Sequence, residues 1–183
     1  MSPLLWDLDR IPWATLRASG GRRADQIPDA LRILATTSDE EEAKAAYWRI
    51  DNVVVIQARV FEAAEYVVPF ALQLLFASSV VVQCLALELL IQLTGGWTDP
   101  DEIARGNVDL VDHCRARAKE GLAIIYWLLG SHDARVRESS VELLDYIEND
   151  TERLKWVLGR LIREEPDPKV RELAARVIDG RGV

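Results

Sequence analysis

The fold of this chain is decided by its C-terminal half, above all by residues 121–147, GLAIIYWLLGSHDARVRESSVELLDYI. Apolar residues recur there at helical spacing on both sides of a short polar turn. Residues 154–178, LKWVLGRLIREEPDPKVRELAARVI, repeat the order of apolar helix, polar turn and apolar helix. A shift of 34 residues carries Val136 onto Val170 and Leu144 onto Ile178. The two stretches are therefore predicted to be copies of one helical hairpin.

Two further copies precede this pair. A shift of 54 residues carries Val136 back onto Val82 and Leu144 onto Leu90, and a looser copy begins near Ile33. One hairpin cannot bury its apolar face alone, so the copies are predicted to stack into a single domain. The predicted units are residues 25–52, 53–94, 112–148 and 149–183, with residues 1–24 as an N-terminal cap and residues 95–111 as an insertion.

An Asp in the turn, followed by a Val-Arg step that opens the second helix, makes residues 121–147 and 154–178 resemble HEAT repeats. The runs IDNVVVIQARVFEAAEYVVPFALQLL at 50–75 and CRARAKEGLA at 114–123 also resemble a group of bacterial HEAT-repeat proteins of mostly unassigned function. This resemblance implies an all-α fold, a right-handed α-solenoid of about four helical hairpins with an N-terminal helical cap. In such solenoids the second helices line the concave surface, which is the usual binding face.

The charge of the chain argues against a partner that is held through phosphates. Its 183 residues include 22 Lys and Arg against 30 Asp and Glu, a formal charge of −8. The acidity is concentrated in residues 25–148, where 10 basic and 21 acidic side chains give −11. We therefore expect no nucleic-acid partner. The uncharged run between Glu65 and Glu88 is interrupted by Pro69 and by polar residues, so we expect no membrane span.

The residues that carry chemistry form no recognisable catalytic set. His113 and Cys114 are adjacent and have no second Cys/His pair, so we expect neither a metal site nor a cofactor. No nucleophile with an orienting base can be assembled, and the run GGRR at 20–23 lacks the spacing of a phosphate loop and is interpreted as a turn with a basic edge. Two cysteines without a CxxC pair, and no basic leader, favour the cytoplasm. The protein is not expected to be an enzyme.

Several other features are given structural interpretations. The clustered carboxylates 39–42, 99–102 and 164–167 lie in turns and are expected to be solvated. The pairs Asp133–Arg137 and Asp167–Arg171, each four residues apart, are expected to link neighbouring turns of the stack. Gly95-Gly96 is expected to end a helix with a left-handed cap. Trp127 and Trp156 fall at apolar helical positions and are expected in the core.

Two surfaces are candidates for binding a partner. Burying Val136, Leu143 and Leu144 leaves an exposed stripe on the third unit's second helix, and the repeat register adds residues of the other three units to it. The members expected to bind a partner, called the acidic stripe, are Trp48, Asp51, Glu88, Glu138, Glu142 and Asp145. The register also places Lys44, Cys84, Ile91, Glu172, Arg176 and Asp179 on this face. The second surface is the insertion, where Trp97 is an aromatic anchor with an expected acidic rim of Asp99, Asp101 and Glu102.

These features favour a non-catalytic protein-binding module. The sharper hypothesis is a bacterial toxin-neutralising immunity protein, which binds a basic toxin domain through an acidic concave face. It is motivated by small size, acidic charge and the absence of a catalytic set in the sequence. The alternatives are a HEAT-like enzyme, either DNA glycosylase-like or bilin lyase-like, and a scaffold or adaptor subunit.

Overall fold

The chain is described here by a computed structural model, which covers residues 3–181; the first two residues of the predicted cap and the last two of the fourth predicted unit lie outside it. Most of the described chain is helical, as the sequence predicts. The α-helices are α1 (Ile27–Thr36), α2 (Glu40–Val54), α3 (Ala63–Leu74), α4 (Val80–Gly95), α5 (Pro100–Ala104), α6 (Leu110–Lys119), α7 (Leu122–Leu128), α8 (Ala134–Ile147), α9 (Thr151–Glu164) and α10 (Pro168–Gly180). Three 3₁₀ helices, Pro3–Arg10, Trp13–Thr15 and Ser19–Gly21, precede them.

The second helix of each predicted hairpin begins at an equivalent capping residue. Asp39, Ser79, Asp133 and Asp167 precede α2, α4, α8 and α10, and each side-chain oxygen accepts a hydrogen bond from a backbone N–H in the first turn. Such caps satisfy donors that have no partner within the helix. The caps lie in the register that the apolar pattern predicts, because shifts of 54 and 34 residues relate Ser79, Asp133 and Asp167.

These second helices pack side by side in the order α2, α4, α8, α10, and each also packs against the first helix of its own hairpin. The predicted core positions Val136, Ser140, Leu143, Leu144 and Ile147 are all fully buried. The third predicted unit contains an additional helix, α6, which packs between α3 and α4 through Leu110, Val111, Cys114 and Ala118. The insertion therefore leads directly into a helix of the core.

A small sheet, which the sequence analysis did not predict, joins the second unit to the insertion. Strand β1 (Val55–Ile56) pairs antiparallel with β2 (Arg59–Val60), and β3 (Trp97–Thr98) pairs parallel with β2. Helix α3 consequently begins only after this hairpin, at Ala63. The left-handed cap expected after α4 is wrong, since Gly96 has φ −80° and is extended. A Cβ atom at Gly96 would collide with the carbonyl oxygen of Ala58, so glycine is required for close approach of the backbones.

The expectation that Trp127 and Trp156 belong to the core is wrong. Their exposed fractions are 69% and 66%. In α9 the buried residues are Leu154 and Leu158, which are four positions apart and define one narrow face. Trp156 lies two positions from each and so projects to the opposite side of the helix.

The ion pairs that link neighbouring units also differ from the expected ones. Arg137 does not pair with Asp133; its Nε and Nη2 donate to the two carboxylate oxygens of Glu165 at 2.7 and 2.6 Å. Asp133 pairs instead with Arg135, at 2.8 Å. Both members of the Arg137–Glu165 pair are buried, which corrects the expectation that Glu165 is solvated. The link between units is therefore made across 28 residues and not across one helical turn.

Among the described residues no helix has the length and apolar character needed to cross a bilayer.

Candidate partner-binding surface

The predicted acidic stripe is carried by three of the second helices that pack side by side. Trp48 and Asp51 lie on α2, Glu88 on α4, and Glu138, Glu142 and Asp145 on α8. Trp48 and Glu88 are exposed, and the other members are partly exposed. Because α4 packs against both α2 and α8, the stripe crosses the row of helices as one surface.

Electrostatics within α8 show that the acidic side chains act on one another. The pKa of Glu142 is raised, first by partial burial and then by the negative charges of Glu138 and Asp145, while Arg176 of α10 opposes the shift. Asp145 is itself held by Arg181, whose Nε lies 3.1 Å from Asp145 Oδ1. The stripe is therefore partly neutralised at its α10 end.

A cavity of about 240 Å³ opens between α2, α4 and the β1–β2 turn. Its polar lining includes Tyr47, Asp51 and Glu88. The Tyr47 hydroxyl donates to Asp51 Oδ1 at 3.1 Å, and burial raises the pKa of Tyr47, so the phenol stays protonated. Burial, with a smaller contribution from the charge of Glu88, also raises the pKa of Asp51, although the hydrogen bond from Tyr47 opposes this shift. Two carboxylates facing one cavity form a site suited to a cationic side chain.

The β1–β2 turn binds the backbone of Trp97 beside this cavity. Both central residues of the turn, Gln57 and Ala58, have positive φ, 51° and 62°, which non-glycine residues rarely adopt. Both residues line the cavity, and the carbonyl oxygen of Ala58 accepts a hydrogen bond of 2.9 Å from the backbone N–H of Trp97. Trp97 pairs with Arg59 in the sheet, so its side chain lies on the Arg59 face and not on the Val55 face, which lines the cavity. Trp48 lines the cavity and is 52% exposed, whereas the exposed Trp97 side chain belongs to a different surface.

Asp99 and Glu102 do not form the expected acidic rim of Trp97, because both are buried. Asp99 caps α5 by accepting a hydrogen bond of 2.9 Å from the backbone N–H of Asp101. Glu102 accepts hydrogen bonds from Arg17 Nε and Nη2 at 3.0 and 2.7 Å, and another from Asn107 at 2.8 Å. Burial opposes the charged form of Glu102, but these donors outweigh it and lower its pKa. Only Asp101 remains exposed, so the expectation of a solvated trio is wrong.

His113 and Cys114, the residues considered for a metal site, point in different directions. Cys114 is fully buried, and burial raises the pKa of its thiol to about 12. His113 is exposed, with Nδ1 3.5 Å from a carboxylate oxygen of Glu65. Within residues 3–181 no group of three His, Cys, Asp or Glu side chains is arranged to hold a metal ion.

The chain matches no protein-family model, no curated protein and no solved structure. Its function is therefore inferred from the fold and from this surface.

Proposed function

We propose that this protein is a non-catalytic protein-binding module, an α-solenoid of four HEAT-like hairpins that binds a basic protein through the acidic stripe. One observation carries the proposal. Four acidic side chains on three adjacent second helices have no ion-pair partner within 4.0 Å in the described chain, and the exposed Trp48 adjoins them; the four are Asp51, Glu88, Glu138 and Glu142. The equivalent caps and the serial packing of the second helices support the solenoid.

The stripe has the physical properties of a surface that captures a cationic protein. Uncompensated charges of one sign raise the rate of encounter with a partner of opposite charge. The cavity bounded by Asp51 and Glu88 can accept a lysine or arginine side chain of that partner, and Trp48 supplies apolar contact area beside it. A toxin domain is one such basic partner. The narrower form of the proposal is that this chain is an immunity protein that neutralises such a toxin.

The cations on the same face argue against a nucleic-acid substrate. Lys44 is held by Glu40 at 2.8 Å and by Glu41 at 3.2 Å. Arg176 lies near Glu142 of α8, whose raised pKa its positive charge opposes. A duplex would need several free cations along this face. The glycosylase-like alternative therefore has less support than protein binding.

The test begins with co-purification of the full chain from its native host and identification of stoichiometric partners by mass spectrometry. We expect a basic protein that dissociates as salt is raised. With that partner, Glu138→Lys/Glu142→Lys is expected to slow association at low salt by about tenfold or more, an effect that salt removes. The matched control is Glu152→Lys/Glu164→Lys, which makes the same charge change on the exposed face of α9.

Trp48 provides an independent test of the same surface. Trp48→Ala is expected to weaken binding by about 2 kcal/mol, mainly through faster dissociation. Trp127→Ala removes another exposed tryptophan, on α7, and is expected to leave affinity unchanged. Equal effects of the stripe variants and their controls, or association independent of salt, would remove the stripe from the interface.

A further inference from the structure

A cavity of about 530 Å³ lies away from the acidic stripe, on the other side of the β1–β2 hairpin. The β1–β2 hairpin separates this cavity from the acidic cavity, because different residues of the hairpin line each of them. Val55 and Gln57 face the acidic cavity, whereas Ile56, Arg59 and Phe61 face the larger one. This larger cavity is called the arginine cleft here, because Arg17, Arg22, Arg59 and Arg105 line it.

Three of the four guanidinium groups retain donors that could bind a ligand. Arg17 is occupied, since it binds Glu102 at 2.7 Å and Glu62 at 3.2 Å. Arg105 donates only to the backbone carbonyl of Asp101, at 2.8 Å.

The guanidinium groups of Arg59 and Arg22 interact even less with the rest of the protein. Arg59 has a single loose ion pair, 3.7 Å from Asp99, and its side chain is 42% exposed. The Arg22 side chain is exposed and makes no hydrogen bond or ion pair within residues 3–181. Of the carboxylates that line the cleft, Glu102 is bound to Arg17, and Asp99 caps α5 through Oδ1 while its Oδ2 makes the loose pair with Arg59. Asp101 is exposed, and no carboxylate of the described chain forms an ion pair with Arg22 or Arg105.

The loop that presents Arg22 is shaped by two glycines and is anchored to the core. Gly20 and Gly21 have φ 65° and 73°, in the left-handed region that glycine adopts without strain. Just before them, the buried Ser19 hydroxyl donates to the Asn52 carbonyl oxygen at 2.6 Å. A backbone bridge between Arg17 and Arg23 closes the loop. The loop is therefore held in one position at the edge of the cleft.

The remaining lining determines what kind of ligand fits. Phe61 and Ile56 give the cleft an apolar side, so a ligand with a hydrocarbon or aromatic portion would bury it there. One bidentate arginine satisfies a carboxylate, whereas a phosphate monoester offers three strong acceptor oxygens and up to two negative charges. Three guanidinium groups with free donors around one cavity therefore suit a phosphate better than a carboxylate.

We infer that the arginine cleft binds a small organic phosphate. Arg22, Arg59 and Arg105 bind the phosphoryl oxygens, and the organic portion lies against Phe61. The run GGRR at 20–23 lacks the spacing of a phosphate loop, and in this fold the other arginines come from β2 and from the residue that follows α5. The site is independent of the acidic stripe, because the two surfaces use different residues of the hairpin.

The probes are phenyl phosphate, benzoate and inorganic phosphate, titrated calorimetrically into the full chain at low salt. Phenyl phosphate is expected to bind at least tenfold more tightly than benzoate, which has the ring without the phosphate. It is also expected to bind more tightly than inorganic phosphate, which lacks the ring. Equal affinity for benzoate would overturn the assignment to a phosphate, and no binding of phenyl phosphate would overturn the site.

Substitutions of the cleft arginines test whether phenyl phosphate binds in the arginine cleft. Arg22→Gln/Arg105→Gln is expected to weaken phenyl phosphate binding by at least tenfold, while Arg163→Gln, an exposed arginine of α9, is expected to have no effect. Unchanged binding in the double variant would overturn the proposal. Arg22→Gln alone changes an exposed side chain without contacts, so it keeps the test valid if the double variant fails to fold.

Discussion

Replacing Glu165 by glutamine tests whether one buried ion pair holds the last two units of this protein together. Glu165 accepts two hydrogen bonds from Arg137 of α8 and one of 2.9 Å from the backbone N–H of Asp167, the cap of α10. Arg137 Nη1 also donates to the carbonyl oxygen of Ser131 at 2.8 Å. The pair therefore joins α8 to the turn that starts α10.

The expected cost follows from this geometry. Glutamine keeps the size of the side chain but removes the charge and leaves one carbonyl acceptor for two guanidinium donors. A hydrogen bond to a charged group contributes about 1.5–3 kcal/mol, so Glu165→Gln should lower the free energy of unfolding by about 2–3 kcal/mol. Glu165→Ala leaves Arg137 buried without any acceptor from this residue and should cost about 3–5 kcal/mol. For a chain of this length, a loss of 3 kcal/mol corresponds to a fall in Tm of about 6–12 °C.

The same pair gives the stability a defined dependence on pH. Hydrogen bonds from Arg137, which outweigh the opposing effect of burial, lower the pKa of Glu165 below its ordinary range. A carboxyl whose pKa is lowered by folding stabilises the native state above its unfolded pKa, about 4.3 for glutamate. That stabilisation is lost as pH falls below this value towards the lower folded pKa. Wild type should therefore lose more stability than Glu165→Gln between about pH 5 and pH 3.

Urea unfolding followed by circular dichroism at pH 7, pH 5 and pH 3 measures both effects. The control is Glu164→Gln, because Glu164 is the neighbouring residue, is exposed and has one loose ion pair of 3.4 Å with Arg160. Its expected cost is below about 0.5 kcal/mol. Similar costs for Glu164→Gln and Glu165→Gln would refute the argument that the buried pair stabilises the junction.

Two further predictions concern the hairpin turn and the cysteines. Ala58→Gly removes a non-glycine residue from positive φ and should stabilise the protein by about 0.5–1 kcal/mol, measured by urea unfolding, whereas Ala116→Gly on the exposed side of α6 should destabilise it by about 1 kcal/mol. A loss of stability in Ala58→Gly would contradict the positive φ. Burial raises the pKa of Cys84, which is half-buried, and that of Cys114 to about 12. Iodoacetamide at pH 8 should therefore label Cys84 slowly and Cys114 only in urea, and equal native rates by mass spectrometry would contradict this.

The helices could be predicted because their signals are local. The apolar pattern locates the first and second helices of each hairpin, and the turn residues Asp39, Asp133 and Asp167 cap the helices that follow them. Both signals depend on residues within one or two helical turns. The relative register of the units follows from the same local pattern, since each hairpin repeats it.

The hairpin and its partner strand could not be recognised in the same way. The run VVVIQARV at 53–60 is almost continuously apolar, and periodicity alone does not distinguish a buried helix from a buried strand. The turn residues Gln57 and Ala58 lack the asparagine or glycine that marks such hairpins. A parallel partner for β2 comes from β3, which is distant in sequence, so no local signal indicated it.

In the candidate binding surface, too, some features follow from the sequence and others depend on tertiary contacts. The sequence was sufficient to place Asp51, Glu88, Glu138 and Glu142 on one side of successive helices, because helical spacing decides which residues share a face. Which acidic residues remain uncompensated depended on tertiary contacts. Glu102 is paired with Arg17 across 85 residues. Asp145 is paired with Arg181 across 36 residues.

The exposure of side chains and the position of the arginine cleft also depended on tertiary packing. Trp127 and Trp156 lie in apolar stretches of α7 and α9, but nothing in the described chain buries them. The arginine cleft forms only where an N-terminal loop, the hairpin and α5 meet. Local periodicity follows from the geometry of a single helix, whereas the burial of a charge or a tryptophan depends on which distant segment packs against it.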